Sequence, residues 1–191
     1  MKNITLNING KTVKAENGCT ILQVAQKVGI DIPTLCYHEK LAPYGACRLC
    51  MVEIGERNRT RLVASCAYPV EEGLVVRTHS ERVMKNRRLI LEMLLPLAPS
   101  GPLQSLAQKY GVKKSRFPSN QTDCILCGLC VRYCEEIEKE HAIFFQGRGI
   151  ERQIEFLPSA PCIICRKCYA LCPGNLFLSK ADTAYLPLAN G

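Results

Sequence analysis

An α+β chain, built from small cysteine-stapled modules rather than around one large apolar core, is predicted by three observations. Strand-like and helical runs segregate along the first 79 residues instead of alternating regularly. A long amphipathic run, then a stretch rich in Pro and Gly, divides the chain near its middle. The last third carries the pattern C-x2-C-x2-C-x3-C twice, from Cys124 to Cys134 and from Cys162 to Cys172. With 191 residues, no Trp, 5 Phe and 7 Tyr, the cores are thin, and ligation must supply part of the folding energy.

The elements follow in order. ITLNI and TVKAE flank Asn9-Gly10, a dipeptide that supplies the positive backbone angles of a two-residue turn, so residues 2–16 read as a hairpin. A helix runs from Thr20 as N-cap to Gly29 as C-cap, with Ile21, Leu22, Val24, Ala25 and Val28 on its apolar side. Strands are expected at 51–54 (MVEI), at RLVAS before Cys66, and at 74–78 (LVVRT). A strand pair, a crossing helix and further strands are the ingredients of a β-grasp domain, here residues 1–79. A second helix is expected from Ser80 to Leu95, burying Val83, Leu89, Ile90, Met93 and Leu94, and Pro96 stops it. PLAPSGP is a linker and LQSLAQKYGV a short helix, completing a helical connector over 80–116. In the remaining domain, 117–191, AIFFQ and RQIEF flank Gly147-Arg148-Gly149 as a hairpin inserted between the cysteine runs. The two runs are an internal repeat of ligand loop plus short helix.

Twelve of the 13 cysteines fall into three groups of four. The repeated run, closed by Pro173, is the spacing of bacterial ferredoxins with two 4Fe-4S cubanes, in which the fourth cysteine of each run reaches across to the other cluster. One cubane is thereby assigned Cys124, Cys127, Cys130 and Cys172, and the other Cys162, Cys165, Cys168 and Cys134. The N-terminal group is Cys36, Cys47, Cys50 and Cys66. It follows plant-type 2Fe-2S logic, but with ten residues between the first two ligands where the plant type has four. That spacing by itself leaves zinc open, since zinc also uses separated cysteine pairs; the downstream runs favour iron and sulfur. Cys19, left over in TILQVAQKVG, reads as a small buried hydrophobe. His38 beside Cys36 suits hydrogen bonding better than ligation, and His79 and His141 read as structural or solvated. Arg166 and Lys167 occupy, in the second run, the places of Gly128 and Leu129 in the first. Positive charge there favours the reduced form, which predicts the higher potential for the second cubane; the alternative reading is that both side chains point into solvent and merely salt-bridge to a neighbouring chain.

The formal charge of +8 counts thiols as neutral. Twelve thiolates and three oxidised cores bring the sum to about +2, and the basic residues are interleaved with acids and lack aromatic spacing for base stacking. Nucleic acid is not an expected partner. MKNITLNING has no signal-peptide core and no run is long enough to span a membrane, so the expected compartment is the reducing cytoplasm, where disulfides do not explain the cysteines. Gly147-Arg148-Gly149 lacks the third glycine of a dinucleotide loop, and no catalytic constellation is present.

Around LCYHEKLAPYGACRLCMVEI, SCAYPVEEGLVVRT, DCILCGLCVRYCEE and CIICRKCYALCP the chain resembles the N-terminal region of the large iron-sulfur subunit of respiratory complex I. That region is shared with the small diaphorase subunit of NAD-reducing hydrogenases and the front end of iron-only hydrogenases. The resemblance covers most of residues 1–178. It implies a β-grasp 2Fe-2S ferredoxin domain, a helical connector and a two-4Fe-4S ferredoxin domain, with backbone N–H groups around Gly45, Ala46 and Arg48 aimed at the 2Fe-2S sulfurs. Family members usually add a cubane held by an H-x3-C-x2-C-x5-C run between the modules. No Cys or His stands between residues 80 and 123, so that cluster is expected to be missing. The chain also ends soon after Cys172, where relatives continue into catalytic domains. The implied role is an electron relay, not itself catalytic, between a flavin-containing NAD(P)H-binding subunit and a catalytic subunit. A nickel-iron hydrogenase is the first choice for the latter; a formate dehydrogenase or other low-potential reductase, or a free-standing polyferredoxin carrier, is the alternative.

Overall fold

Asn9 and Gly10 both take positive φ, 52° and 85°, and this pair of angles matches the right-handed twist of the strands it joins. In the computed structural model, which describes residues 3–57, 59–157 and 165–177, the turn links β1 (Asn3–Ile8) to β2 (Lys11–Glu16) in the register Leu6↔Val13. The Asn9 side chain also ties the turn to the sheet: its Oδ1 accepts from Thr78 N at 2.8 Å and its Nδ2 donates to Thr78 Oγ1 at 2.7 Å. β3 (Met51–Ile54), β4 (Arg61–Ala64) and β5 (Val75–Arg77) complete a five-stranded sheet of order β2-β1-β5-β3-β4, in which only the β1–β5 pair is parallel.

Helix α1 (Ile21–Lys27) is closed at its start by a reciprocal capping box: Thr20 Oγ1 accepts from Gln23 N, and Gln23 Oε1 accepts from Thr20 N. At its end Gly29, φ 74°, turns the chain so that Ile30 N donates to Ala25 O at 2.8 Å. Its buried face, Ile21, Leu22, Val24 and Ala25, packs with Leu6, Ile8, Val52 and Val76. Each fully buried aliphatic side chain contributes about 1.5–3 kcal/mol.

Helix α2 (Glu81–Leu94) starts where Ser80 Oγ accepts from Val83 N. It buries Val83, Arg87 and Leu91, one residue per turn, whereas Leu89 and Met93 are 39% and 50% exposed. The expected stripe is therefore corrected, and the reason is Arg87. This arginine is fully buried, its Nη2 donating to Met51 O at 3.2 Å, and it takes the middle place of a face that apolar periodicity alone assigns to its neighbours.

The chain forms two compact units, Met1–Tyr37 with Pro43–Leu91, and His38–Ala42 with Glu92–Gly191. The second holds α3 (Gly101–Lys109), which begins within the stretch read as linker, with Pro at its first turn. It also holds α4 (Leu129–Tyr133), a π-helical turn over Cys134–Glu138, and the antiparallel hairpin of β6 (Ile143–Gln146) and β7 (Gln153–Phe156). Its buried cluster joins Cys130, Cys134 and Cys168 to Ala142, Ile143, Ile154, Leu176 and Phe177, so the thiols are themselves core residues. Gly174 is required by close approach: a Cβ there would meet the Asp123 carbonyl oxygen at 2.5 Å.

Candidate cluster sites

The β3–β4 register, Met51↔Ala64, brings Cys50 and Cys66 to the same end of the pair, and Ser65 fastens it by donating Oγ–H to Cys50 O at 2.7 Å. Cys36 and Cys47 bound the loop in front of β3, and Cys47 N donates to Cys36 Sγ at 3.4 Å. Gly45 and Arg48 turn that loop with positive φ, 70° and 56°. Cys36, Cys47, Cys50 and Cys66 are all buried, none more than 8% exposed. The hydrogen bond from Cys66 pulls the Cys50 thiol down to about 6, while the same contact and burial push Cys66 up. The Cys36 contact, then burial, pushes Cys47 up. So dense a thiol group cannot ionise fully on its own, whereas iron or another cation removes that obstacle. The donor set thus fits a 2Fe-2S group.

In the second unit two cavities are lined by sulfur. One has Cys124, Cys127, Cys130 and Cys172 in its wall with Gly128, Ile154 and Gly174. The other is lined by Cys134, Cys165 and Cys168, with Tyr133, Ile143, Glu138, Glu140 and Arg166. Cys162 lies outside the described residues. Cys130 on α4 and Cys134 at the opening of the π turn are one helical turn apart yet line different cavities. Backbone N–H groups reach two of the sulfurs, Leu126 N to Cys124 at 3.4 Å and Ala142 N to Cys134 at 3.3 Å, and such bonds favour thiolate. Burial, then the other thiols, pushes Cys130 up. Among the described residues no three ligand-type side chains gather as a single metal ion would need; the sulfurs are spread around cavity walls.

The repeat extends to the backbone. Gly128 and Arg166, equivalent in the two runs, both have positive φ, 71° and 48°. Lys167 Nζ meets Glu138 Oε2 at 2.6 Å, and Glu140 lines the same cavity as Arg166. Those carboxylates, with Tyr133, are site residues that run spacing does not disclose. The leftover groups fall elsewhere. Cys19 is partly buried against the first core rather than fully enclosed. His38 Nδ1 accepts from Lys40 N at 3.2 Å, and His79 Nδ1 shares a 2.6 Å hydrogen bond with Thr78 Oγ1. No helix among the described residues is long and apolar enough to cross a membrane.

The family described as a 2Fe-2S iron-sulfur cluster binding domain matches residues 1–81. This defines the class: an iron-sulfur protein with a 2Fe-2S ferredoxin-type domain in a mixed α and β fold. A chain in the structure of an NAD+-reducing [NiFe]-hydrogenase in the H2-reduced state is 32% identical, with a TM-score of 0.73 over 82% of this chain and 76% of that one. The mitochondrial NADH-ubiquinone oxidoreductase 78 kDa subunit of Candida albicans is 34% identical over 79% of this chain and 25% of its own length. For NADP-reducing hydrogenase subunit HndD of Solidesulfovibrio fructosivorans the values are 33%, 91% and 35%. The chain belongs to the iron-sulfur family formed by that hydrogenase chain and by the N-terminal parts of the 78 kDa oxidoreductase subunit and the NADP-reducing hydrogenase subunit. It spans about a quarter of the length of the oxidoreductase subunits it matches.

Proposed function

We propose that the chain relays electrons through three clusters. A 2Fe-2S group is held by Cys36, Cys47, Cys50 and Cys66, one 4Fe-4S by Cys124, Cys127, Cys130 and Cys172, and another by Cys134, Cys162, Cys165 and Cys168. In this reading residues 1–79 are a β-grasp domain, 80–116 a helical connector and 117–191 a two-cubane ferredoxin domain. The observation that carries it is the pair of sulfur-lined cavities, each drawing cysteines from both runs. The clusters supply one-electron redox chemistry; the protein holds them, excludes water and aims N–H groups at their sulfurs. The partners proposed are a flavin-containing NAD(P)H-binding subunit and a catalytic subunit, a nickel-iron hydrogenase first, in a cytoplasmic complex. The likeness to a chain of an NAD+-reducing [NiFe]-hydrogenase supports that choice.

Anaerobically purified protein should hold about ten iron atoms, the sum for these cluster types, and should co-purify with a flavoprotein. Cys134→Ala should remove the paramagnetic signal of one cubane while Cys19→Ala leaves iron content unchanged. Loss confined to the cluster of Cys124, Cys127 and Cys130 would overturn the crossed ligation. About fourteen iron atoms would overturn the reading of the connector.

A further inference from the structure

Ten residues separate Cys36 from Cys47, where the plant-type interval is four. Five of the ten, His38–Ala42, belong to the second compact unit. There the Ala42 peptide is gripped on both sides. Arg132 Nη1 donates to Ala42 O at 2.8 Å, and Ala42 N donates to Glu136 Oε2 at 3.1 Å. The segment is folded back on itself by Leu41 N donating to His38 O at 3.1 Å, and Leu41 is only 5% exposed. The His38 ring stands edge-on to Tyr133, centroids 5.7 Å apart, and Tyr133 lines the cavity of Cys134, Cys165 and Cys168. Arg132 is itself 8% exposed, so its hydrogen bond to the carbonyl is made largely out of water, where charge-assisted bonds are strongest.

We infer that Arg132, with Glu136, is a positioning residue for the ligand loop: it fixes His38–Ala42 to the helix that carries Cys130 and Cys134, and the loop that presents Cys36 is ordered only when that helix is folded. The inference rests on Cys36 being a cluster ligand. The additional residues of the interval are then an anchor rather than slack. Loss of order in α4 would free the chain two residues beyond Cys36, and the thiolate would lose its fixed position. The 2Fe-2S site would therefore report loss of this contact, although the helix that makes it supplies none of that site's ligands.

The test uses anaerobic full-length holoprotein and hydrogen-exchange mass spectrometry of peptides covering 38–42, 51–54 and 129–133. Arg132→Met, which keeps bulk but no donor, should speed exchange in 38–42 by about ten-fold or more and leave 51–54 and 129–133 unchanged, with Arg132→Lys intermediate. The 2Fe-2S paramagnetic signal of Arg132→Met should decay several-fold faster than wild type in a chelator while the cubane signals persist. Wild-type protection in 38–42 would overturn the inference. If Arg132→Met also unfolds 129–133, Glu136→Ala decides at a half-buried position: it must speed Ala42 exchange, and no change there overturns the inference. Absence of a 2Fe-2S signal from the wild type would instead sink the proposed function, a result separable from the exchange data.

Discussion

At Arg166 two demands meet in one residue. Its φ of 48° is the left-handed conformation that Gly128 adopts at the equivalent place for little strain, and a side chain there costs about 1 kcal/mol. Arg166→Gly should therefore raise the urea midpoint, although it removes a charge from the wall of the cavity. The potential is the better readout of that charge. Arg166→Gly with Lys167→Leu should lower the potential of one cubane in a titration followed by paramagnetic resonance. Glu138→Gln, which strips Lys167 of its 2.6 Å partner and leaves the cation, should raise it. An unmoved potential in both variants would end the tuning idea. That Cys124, Cys127 and Cys130 gather around one cavity, and Cys165 and Cys168 around the other, was legible in the sequence because the spacing within a run is a covalent property of a short loop. Glu138 and Glu140 were not, because they enter the cavity through the π turn and the segment after it. Glu53 makes a third case, 8% exposed in β3 and acidic. The Ser80 and Thr60 hydroxyls, then Arg77 and Arg82, hold its carboxyl below the usual carboxylate range. A depressed folded value stabilises above the unfolded one, about 4.3, and the gain is lost as pH falls through the folded value. Glu53→Gln should cost about 1 kcal/mol, equally at pH 6 and pH 8, with the gap closing only as pH falls below about 4.3 and through the folded value.

Element by element, the first 79 residues were readable from local chemistry. The Asn9-Gly10 turn, the Thr20 cap and the strand over 51–54 each rest on neighbours in sequence, and each forms where expected. Helix α2 was placed well and Val83 is buried as expected, but the later part of its stripe was assigned to the wrong face. Its start and stop are local signals, whereas its buried face is chosen by the strand it packs against, and Met51 O takes a hydrogen bond that only an arginine on that face supplies. The correction can be measured. Leu91→Ala should cost about 2–5 kcal/mol in urea unfolding. Met93→Ala, at a half-exposed site, should cost under about 0.5 kcal/mol. Comparable losses would restore the stripe read from periodicity.

For the whole molecule, the two units differ in what holds them. The first has an aliphatic core of strands and α1 that includes Cys50 and Cys66 but does not depend on them for most of its buried surface. The second gathers Cys130, Cys134 and Cys168 into its core beside a few apolar side chains. Chelation of the holoprotein under reducing conditions should therefore abolish exchange protection at Ile143 and Ile154 while Leu22 and Val52 stay protected. Equal loss in both units would show that the first also depends on ligation. The scarcity of aromatics in the sequence leads to the same expectation, though not to which thiols sit deepest.

A core made of thiols also gives the chain a lifetime tied to supply. On the ligation proposed above, newly made second units that meet no iron or sulfide in a growing cell would present an incompletely filled interior to proteases, and the population of such openings governs degradation. Iron starvation should then shorten the half-life of the unmutated protein, so that its abundance tracks the nutrient its wiring is made from.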